Sequence, residues 1–582
     1  MEWFLIICAL LTVVVAQDPT ITCNYFLYDE DDVNTYSCDL TINNPTGFND
    51  FTQIGGIHLE GFTNSDVKIV GQPLGGTSVT SVVPHIICAT FPNVYRIALI
   101  DFQLGRIDDD SFTGCERATE LSLLSNAITS ISANAFANLP DLTYINLDLN
   151  LLTSLPENVF ASQRDLTYLS LGSNLFEDFS ASLFRPLENL ENLYLGSNRL
   201  SAIGNQWFST MTNLNYLYLG SNQISTLSPE SFVGLEQLRN LNLAYNAING
   251  INSGTFAPLQ NLAYLVLYNN ALTELHADGF IGLETLGTLD ISDNPIGTIH
   301  QGAFRGLGNL ATLTMARCSL RQLHMNNFED LGNLTTLSLY QNEIEELPSG
   351  VFVPIPNLNT LYLGYNRLKT VRRNSFGTLT ALETFELQEN VVNALERSII
   401  DDAVNLDTLY FSRNICANNY FYNFRISRAV FLTMLGRCFT NLGYLIDTVT
   451  EGDDDYSFFD ARLPGIFFRV TADSEIHIAL TPFDFAWTPI IEIFIGTANN
   501  TRSAIRVNED TFVVTVPTAN IIRRNQANDF RISWVNHNVL VFSGNDFYPF
   551  MGFTMEDFYP VDFIGLKAVE SRATWTVQPI DW

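Results

Sequence analysis

Asparagine returns every 24 residues along most of this chain, at positions 126, 150, 174, 198, 222, 246, 270, 294, 342, 366, 390 and 414, with Cys318 filling the one vacant step. Around each position the chain reads L-x-x-L-x-L-x-x-N-x-L-x-x-L, as in Leu190, Leu193, Leu195, Asn198, Leu200 and Ile203. A phenylalanine usually follows ten residues after the asparagine, from Phe136 and Phe160 through to Phe352 and Phe376. A unit this short cannot bury a core alone, so the units must stack and share one. The alternating leucines give each unit one short strand with its apolar side inward, and the phenylalanine fills the opposite side. An asparagine side chain is both donor and acceptor, so a stacked column of them can satisfy backbone groups at the turn after each strand. A thiol is a weaker donor that still fits a small buried site, which makes Cys318 a ladder substitute and the expected unpaired cysteine.

The repeat is the leucine-rich-repeat signature, whose ninth position tolerates Asn or Cys. Up to Cys438 the chain resembles the extracellular leucine-rich-repeat proteins of animals, the group that includes Toll-type ectodomains and secreted immune recognition proteins. The expected fold is an α/β solenoid, curved, with parallel strands on its concave face. The resemblance implies binding of a ligand or protein, in innate immunity or adhesion, and names no particular ligand.

Less regular units precede the array. Val94, Ile97, Leu99, Leu104, Ile107 and Phe112 keep the register while Phe102 replaces the asparagine, and Ile57 with Leu59 suggests a further worn strand. Each end of a solenoid exposes core and must be capped. Cys416 and Cys438 follow the last strand, where a disulfide-stapled cap would sit, and Cys23 with Cys38 and Cys88 with Cys115 are the pairs expected at the other end. Spacing suggests this connectivity out of the 15 that six cysteines allow. The expected organisation is a signal peptide over 1–16, an N-terminal cap with degenerate repeats over 17–93, the solenoid over 94–415 and a C-terminal cap over 416–440.

The signal peptide is read from the apolar run Phe4 to Ala16, with Val14 and Ala16 as small residues before a cut ahead of Gln17, although Glu2 stands where positive charge is usual. No later stretch reaches the roughly 18 apolar residues needed to span a bilayer, so a secreted, extracellular protein without a transmembrane anchor is expected. The formal net charge of −33 disfavours nucleic acid and anionic lipid as partners and favours basic or neutral ones. Asn333 in NLT and Asn499 in NNT match the N-glycosylation acceptor.

Side chains alternate across a strand, so positions between the leucines face outward on the concave sheet. They include Tyr144, Tyr168, Tyr194, Tyr216, Tyr218, Tyr264, Tyr268, Tyr340, Tyr362 and Tyr410, with Asn192, Asn240, Asn242, Ser170 and Ser338 among them. Charge there is sparse, with Asp148, Asp290 and Glu386 the clearer examples. Tyrosine gives large contact area with a polar tip at low conformational cost, and Ser and Asn add adaptable hydrogen bonds, as in a paratope. High strand propensity of aromatics is the competing explanation. Binding of a protein or glycoprotein is preferred, because the stripe runs along one open face.

His276, His300 and His324 form another column at the same 24-residue period. Stacked imidazoles suit zinc or a pH switch, with Glu274 or Asp278 as extra ligands. Solvated residues propagated by duplication explain the column more simply, and no metal or cofactor is expected.

After Cys438 the period disappears. The acidic run Glu451, Asp453, Asp454 and Asp455 marks 441–464 as a linker, since its oxygens do not alternate around a glycine turn as a calcium loop requires. Alternation at period two returns in Ile476, Ile478 and Leu480, in Ile491, Ile493 and Ile495, and in Phe530, Ile532 and Trp534. An all-β antiparallel sandwich over 465–582 is expected. EIFIGTANNTRSAIR from Glu492, FRISWVNHNVLVF from Phe530, YPFMGF from Tyr548, DFIGL from Asp562 and TWTV from Thr574 resemble the arthropod farnesoic acid O-methyltransferase domain. That resemblance implies, as the alternative function, methylation of a farnesoic-acid-like lipid with S-adenosylmethionine. The residues point away from it: Gly496 lacks the second glycine and following helix of a cofactor loop, and neither His477 nor His537 has a partner at a telling spacing. A binding module rather than an enzyme is expected.

Overall fold

The computed structural model describes residues 20–579 apart from 31–32, 45–52, 57, 60–61, 72–78, 81, 417–419, 422–427, 431, 433–434, 436–437, 439–443, 449–455, 461–464, 473–474, 483–489, 509–511, 524–525, 536, 545, 547, 555–560, 562 and 569–572. The expected signal peptide, the acidic run and Ile57 lie outside the described residues. Two compact units emerge, one running up to Asn249 with Thr255–Val266, the other comprising Gly250–Gly254 and Leu267 onward.

The first unit opens with an antiparallel hairpin of Thr20–Glu30 and Val33–Asn44. Its second strand pairs in parallel with Ile69–Gly71, which pairs with Arg96–Ala98. The worn strand before the array therefore lies at Ile69–Gly71, while Leu59 is 40% exposed and belongs to no strand. From Arg96–Ala98 each three-residue strand pairs with the one 24 residues later, through Glu120–Ser122, Tyr144–Asn146, Tyr168–Ser170, Asn192–Tyr194, Tyr216–Tyr218 and Asn240–Asn242 to Tyr264–Val266. The central residue of each array strand is buried and its neighbours are more open, as at Asn192–Tyr194 and Tyr216–Tyr218, with Ser170 the buried exception. Register cannot slip, because one step would turn every leucine outward.

The asparagine column works as a ladder. Asn174 donates to the carbonyls of Leu147, Leu171 and Gly172 while its Oδ1 accepts from the Leu152 amide. Asn150 makes the same four bonds one unit earlier. The residue before each ladder position has a positive φ of about 51–59°, from Ser125 and Leu149 to Arg413. No β-branched residue stands there, since a branched side chain is poorly tolerated in the left-handed region. On the far side a phenylalanine spine is buried, with Phe112, Phe136 and Phe160 at centroid spacings of 6.4 and 6.1 Å.

The second unit continues this grammar through Thr288–Asp290, Thr312–Thr314, Thr336–Ser338, Thr360–Tyr362, Thr384–Glu386 and Thr408–Tyr410. Cys318 sits fully buried in the ladder, its Sγ 3.4 Å from the Ile291 carbonyl. Burial pushes its thiol up to about 12, so it stays protonated and is a poor nucleophile. Sulfur replaces only the donor half of an asparagine. The Ile296 amide, which stands where other units donate to the ladder oxygen, turns instead to the Asn294 carbonyl at 2.8 Å. Cys318→Asn is therefore expected to match or raise stability by up to about 1 kcal/mol, read as the urea midpoint.

The remaining part of this unit holds two six-stranded antiparallel sheets. One contains Tyr444–Thr448, Ala573–Pro579, Gly465–Thr471, Ala527–Val535, Asn538–Ser543 and Met551–Thr554, and the other Ser457–Asp460, Phe563–Ala568, Ile476–Thr481, Ile491–Gly496, Arg502–Val507 and Phe512–Pro517. Phe468, Ile478, Ile493, Ile532, Val541 and Trp575 form the core of this sandwich. Two strands, Tyr444–Thr448 and Ser457–Asp460, lie inside 441–464, so that stretch is more than a linker. Each is short and one is flanked by acidic residues, which hides the alternation a longer strand would show.

Candidate functional site

Six of the ten tyrosines belong to the first unit, and five of these form an unbroken run of ring contacts. Tyr144 and Tyr168 occupy matched first positions of adjacent strands, with centroids 4.4 Å apart and planes within 13°. Tyr168 meets Tyr194 at 5.1 Å, and Tyr194 meets Tyr216 at 5.1 Å and Tyr218 at 6.4 Å. The step from first to third position lets the stripe cross the face diagonally. Strand spacing of about 4.8 Å is close to the separation that aromatic rings prefer, so the repeat geometry itself lines the rings up.

Glycine makes room for this stripe. A Cβ on Gly196 would fall within 2.1 Å of the Tyr218 ring, so any side chain there would displace the ring. Gly172, one unit earlier, lies against Asp148, whose carboxylate accepts from the Ser170 hydroxyl and the Gly172 amide. Asp148 is half-buried, and desolvation holds its carboxyl above the usual range despite those two hydrogen bonds. Burial likewise raises the Tyr168, Tyr194 and Tyr216 phenols, with neighbouring phenols and, for Tyr168 and Tyr194, Asp148 adding to it. All three stay neutral donors at physiological pH. Tyr264, also in this unit, is 54% exposed.

In the second unit Tyr340 packs on Tyr365 at 5.1 Å, and Tyr362 ends a strand beside Glu386, which is raised by burial. Tyr410 ends the Thr408–Tyr410 strand, and Tyr268 lies just beyond the strand positions. Tyr365 and Tyr245 escaped the sequence reading because they occupy the left-handed turn before the ladder asparagine, at φ 56° and 54°. A second asparagine column also went unread. Asn189, Asn213, Asn261, Asn309, Asn333, Asn357 and Asn405 each donate to a carbonyl 25 residues back. Asn333, one of the two glycosylation candidates, is thus exposed yet engaged with the Gly308 carbonyl. The other, Asn499, is exposed in a hairpin turn at φ 58°.

Among the described residues the cysteines fall into three bonds, Cys23–Cys38, Cys88–Cys115 and Cys416–Cys438, with Cys318 unpaired. Among the described residues no helix is long and apolar enough to cross a membrane.

Polar groups in the sandwich pair among themselves. Tyr456 donates to Glu492, which also accepts from Arg506, and His477 lies 2.9 Å from Glu475 and edge-on to Phe494. His477, Glu492 and Lys567 are each under 10% exposed. The hydrogen bond from His477 holds Glu475 below the usual carboxylate range. Tyr456, Glu492 and Arg506 come from distant segments, so no sequence spacing announces them, whereas Glu475 stands two residues before His477 and was passed over as its partner. Gly496 begins a turn in which Ala498, Asn499 and Asn500 are all left-handed, and Asn500 clamps the Ile522 backbone at 2.6 and 3.0 Å. A Cβ on Gly496 would meet Ile522, so the space beside this glycine is filled by the chain itself. This turn joins two antiparallel strands and does not suit the pyrophosphate-type cradle or helix N-terminus of a doubly wound cofactor site. Gly496 is therefore not the glycine turn of such a site.

Comparison with known proteins places these features. The leucine-rich-repeat family model matches overlapping stretches that run from 92 to 415, and the farnesoic acid O-methyl transferase model matches 452–579. No curated protein matches the chain. Among solved structures, the Toll–Spatzle complex of Drosophila, described as a hub in development and innate immunity, aligns at 22% identity and a TM-score of 0.53 over 61% of this chain and 51% of that one. The LRIM1/APL1C complex aligns at 22% identity and a TM-score of 0.50, covering 71% of this chain and 74% of that one. At these identities the likeness is one of fold, and this chain spans about half the length of the Toll chain. With more than half of its length matched by the repeat model, the chain belongs to the leucine-rich-repeat family and carries a farnesoic acid O-methyl transferase family domain toward its C-terminal end.

Proposed function

We propose that this is a secreted recognition protein that binds a protein or glycoprotein through the tyrosine face of its first unit. The observation that carries the reading is the unbroken run of ring contacts through Tyr144, Tyr168, Tyr194, Tyr216 and Tyr218 on outward strand positions. Stacking fixes the rotamers before a partner arrives, so little side-chain entropy is lost on binding. The solved relatives support a binding role: Toll is in complex with Spatzle, and LRIM1 with APL1C. Disulfides support an oxidising, extracellular setting. The net charge of −33, with Asp148 set among the rings, favours a partner that presents Lys or Arg.

Asp148→Asn tests the charge directly. Asparagine keeps an oxygen for Ser170 and Gly172 but carries no buried charge. A carboxyl raised in the folded state favours folding in acid and loses that contribution as pH climbs through its folded value. The variant is therefore expected to melt no lower than wild type at pH 7, with the difference shrinking toward pH 3, while partner binding weakens at least about tenfold. A variant that binds as wild type removes the electrostatic part of this reading.

The sandwich is proposed as a second binding module without methyltransferase activity, so that avidity between two modules strengthens attachment. Saturable binding of labelled S-adenosylmethionine by the full chain would contradict it.

A further inference from the structure

Glu274–Leu275 and Thr298–Ile299 form a short parallel pair away from the tyrosine strands, with Glu274 opposite Thr298 and Leu275 opposite Ile299. Leu275 and Ile299 are buried, so alternation turns Glu274, His276 and His300 to solvent. The parallel register then sets His276 beside His300, with ring centroids 5.3 Å apart and planes within 19°. Glu274 lies between them, one carboxylate oxygen 2.8 Å from His300 Nε2 and the other 3.4 Å from His276 Nε2. One ligand atom from each of the three lies within 4.8 Å of the others, and among the described residues this is the one group of three metal-capable side chains that converge so closely.

The rest of the histidine column separates from this cluster. His324 lies outside the converging group, and Asp278 is held by Arg305 at 2.6 Å. Duplication alone would treat three histidines alike, whereas here only the two that flank Glu274 come together. Ligand atoms about 2.1 Å from a tetrahedral ion stand about 3.4 Å apart, close to the spacing already present between His276 and Glu274. All three side chains are about half exposed, at 52%, 44% and 46% for His276, Glu274 and His300, so small rotations complete the geometry without disturbing the core.

We propose that Glu274, His276 and His300 form a binding site for a divalent transition-metal ion of the zinc or copper class, with a fourth position open to water. Two imidazoles select against calcium and magnesium, which take oxygen ligands. Three protein ligands with an open position make an accessible site rather than a closed structural one. The inference is independent of the tyrosine face.

Titration calorimetry of the full chain with zinc chloride at neutral pH tests it. One zinc per chain is expected, with calcium unable to compete. His276→Ala, His300→Ala and Glu274→Gln should each weaken binding by at least about tenfold, and His324→Ala should bind as wild type, all four with unchanged circular dichroism. Absence of zinc binding by the wild-type chain, survival of binding in both histidine variants, or an equal loss in His324→Ala would overturn the proposal.

Discussion

Replacing Tyr194, Tyr216 and Tyr218 together with alanine is expected to weaken partner binding at least about 100-fold, about 2.7 kcal/mol, while the chain stays folded. Binding energy concentrates in aromatic anchors, and Tyr194 is the ring through which Tyr216 and Tyr218 join the rest of the run. Folding draws on the other side of the same strands, where Leu193 and Leu217 are fully buried. The variant loses ring stacking, about 0.5–1.5 kcal/mol per pair, and leaves the leucine core and ladder untouched. Tyr264→Ala is the internal comparison: this tyrosine is 54% exposed, and its loss should cost under about 1 kcal/mol of binding. Surface plasmon resonance against the captured partner, with circular dichroism of each variant, reads both effects.

The second large effect lies in the ladder. Asn294→Ala should destabilise the second unit by about 1–3 kcal/mol, lowering its urea midpoint. Asn294 is 1% exposed and donates to the carbonyls of Leu267, Ile291 and Ser292 while accepting from the Leu272 amide. The Ser292, Leu267 and Ile291 carbonyls keep other donors in the Asn269 amide, the Asn270 side chain and the Cys318 thiol, so the cost falls mainly on the Leu272 amide. Water cannot enter to replace the lost bonds at a site this buried, and each orphaned group costs about 1–3 kcal/mol. Asn333→Ala in the outer column should cost under about 1 kcal/mol, because water reaches the exposed Gly308 bond once the amide is gone. Equal effects at the two positions would show that burial does not set the ladder's worth.

The ladder, the phenylalanine spine and the strand register were all legible in the sequence, because each depends on a residue type recurring at a fixed step. Cys318 was legible for the same reason, as the exception within a column. What the period does not encode is which members of a column touch. Six tyrosines of the first unit hold outward strand positions, yet the unbroken run of ring contacts is Tyr144 to Tyr218, with Tyr144, Tyr168 and Tyr216 in first positions and Tyr194 and Tyr218 in third. Tyr365 joins Tyr340 from a left-handed turn, and turn geometry is invisible to an alternation pattern. The same limit hid Ser457–Asp460 beside an acidic run, and the Tyr456, Glu492 and Arg506 cluster, which strand pairing assembles from distant segments. Gly496 was singled out as a lone glycine, and the structure shows what it serves, a left-handed turn with Ile522 packed beside it.

Site-resolved photocrosslinking tests the binding face most directly. A photoreactive phenylalanine analogue is placed at Asn192, on the outward strand position between Tyr168 and Tyr216, and separately at exposed Asn261 in the outer column, in chains exposed to native extracellular fluid. A single protein partner captured from position 192, absent from 261 and lost when Tyr194, Tyr216 and Tyr218 are alanine, is the predicted result. Capture of that partner equally from both positions, undiminished by the triple substitution, would contradict the account.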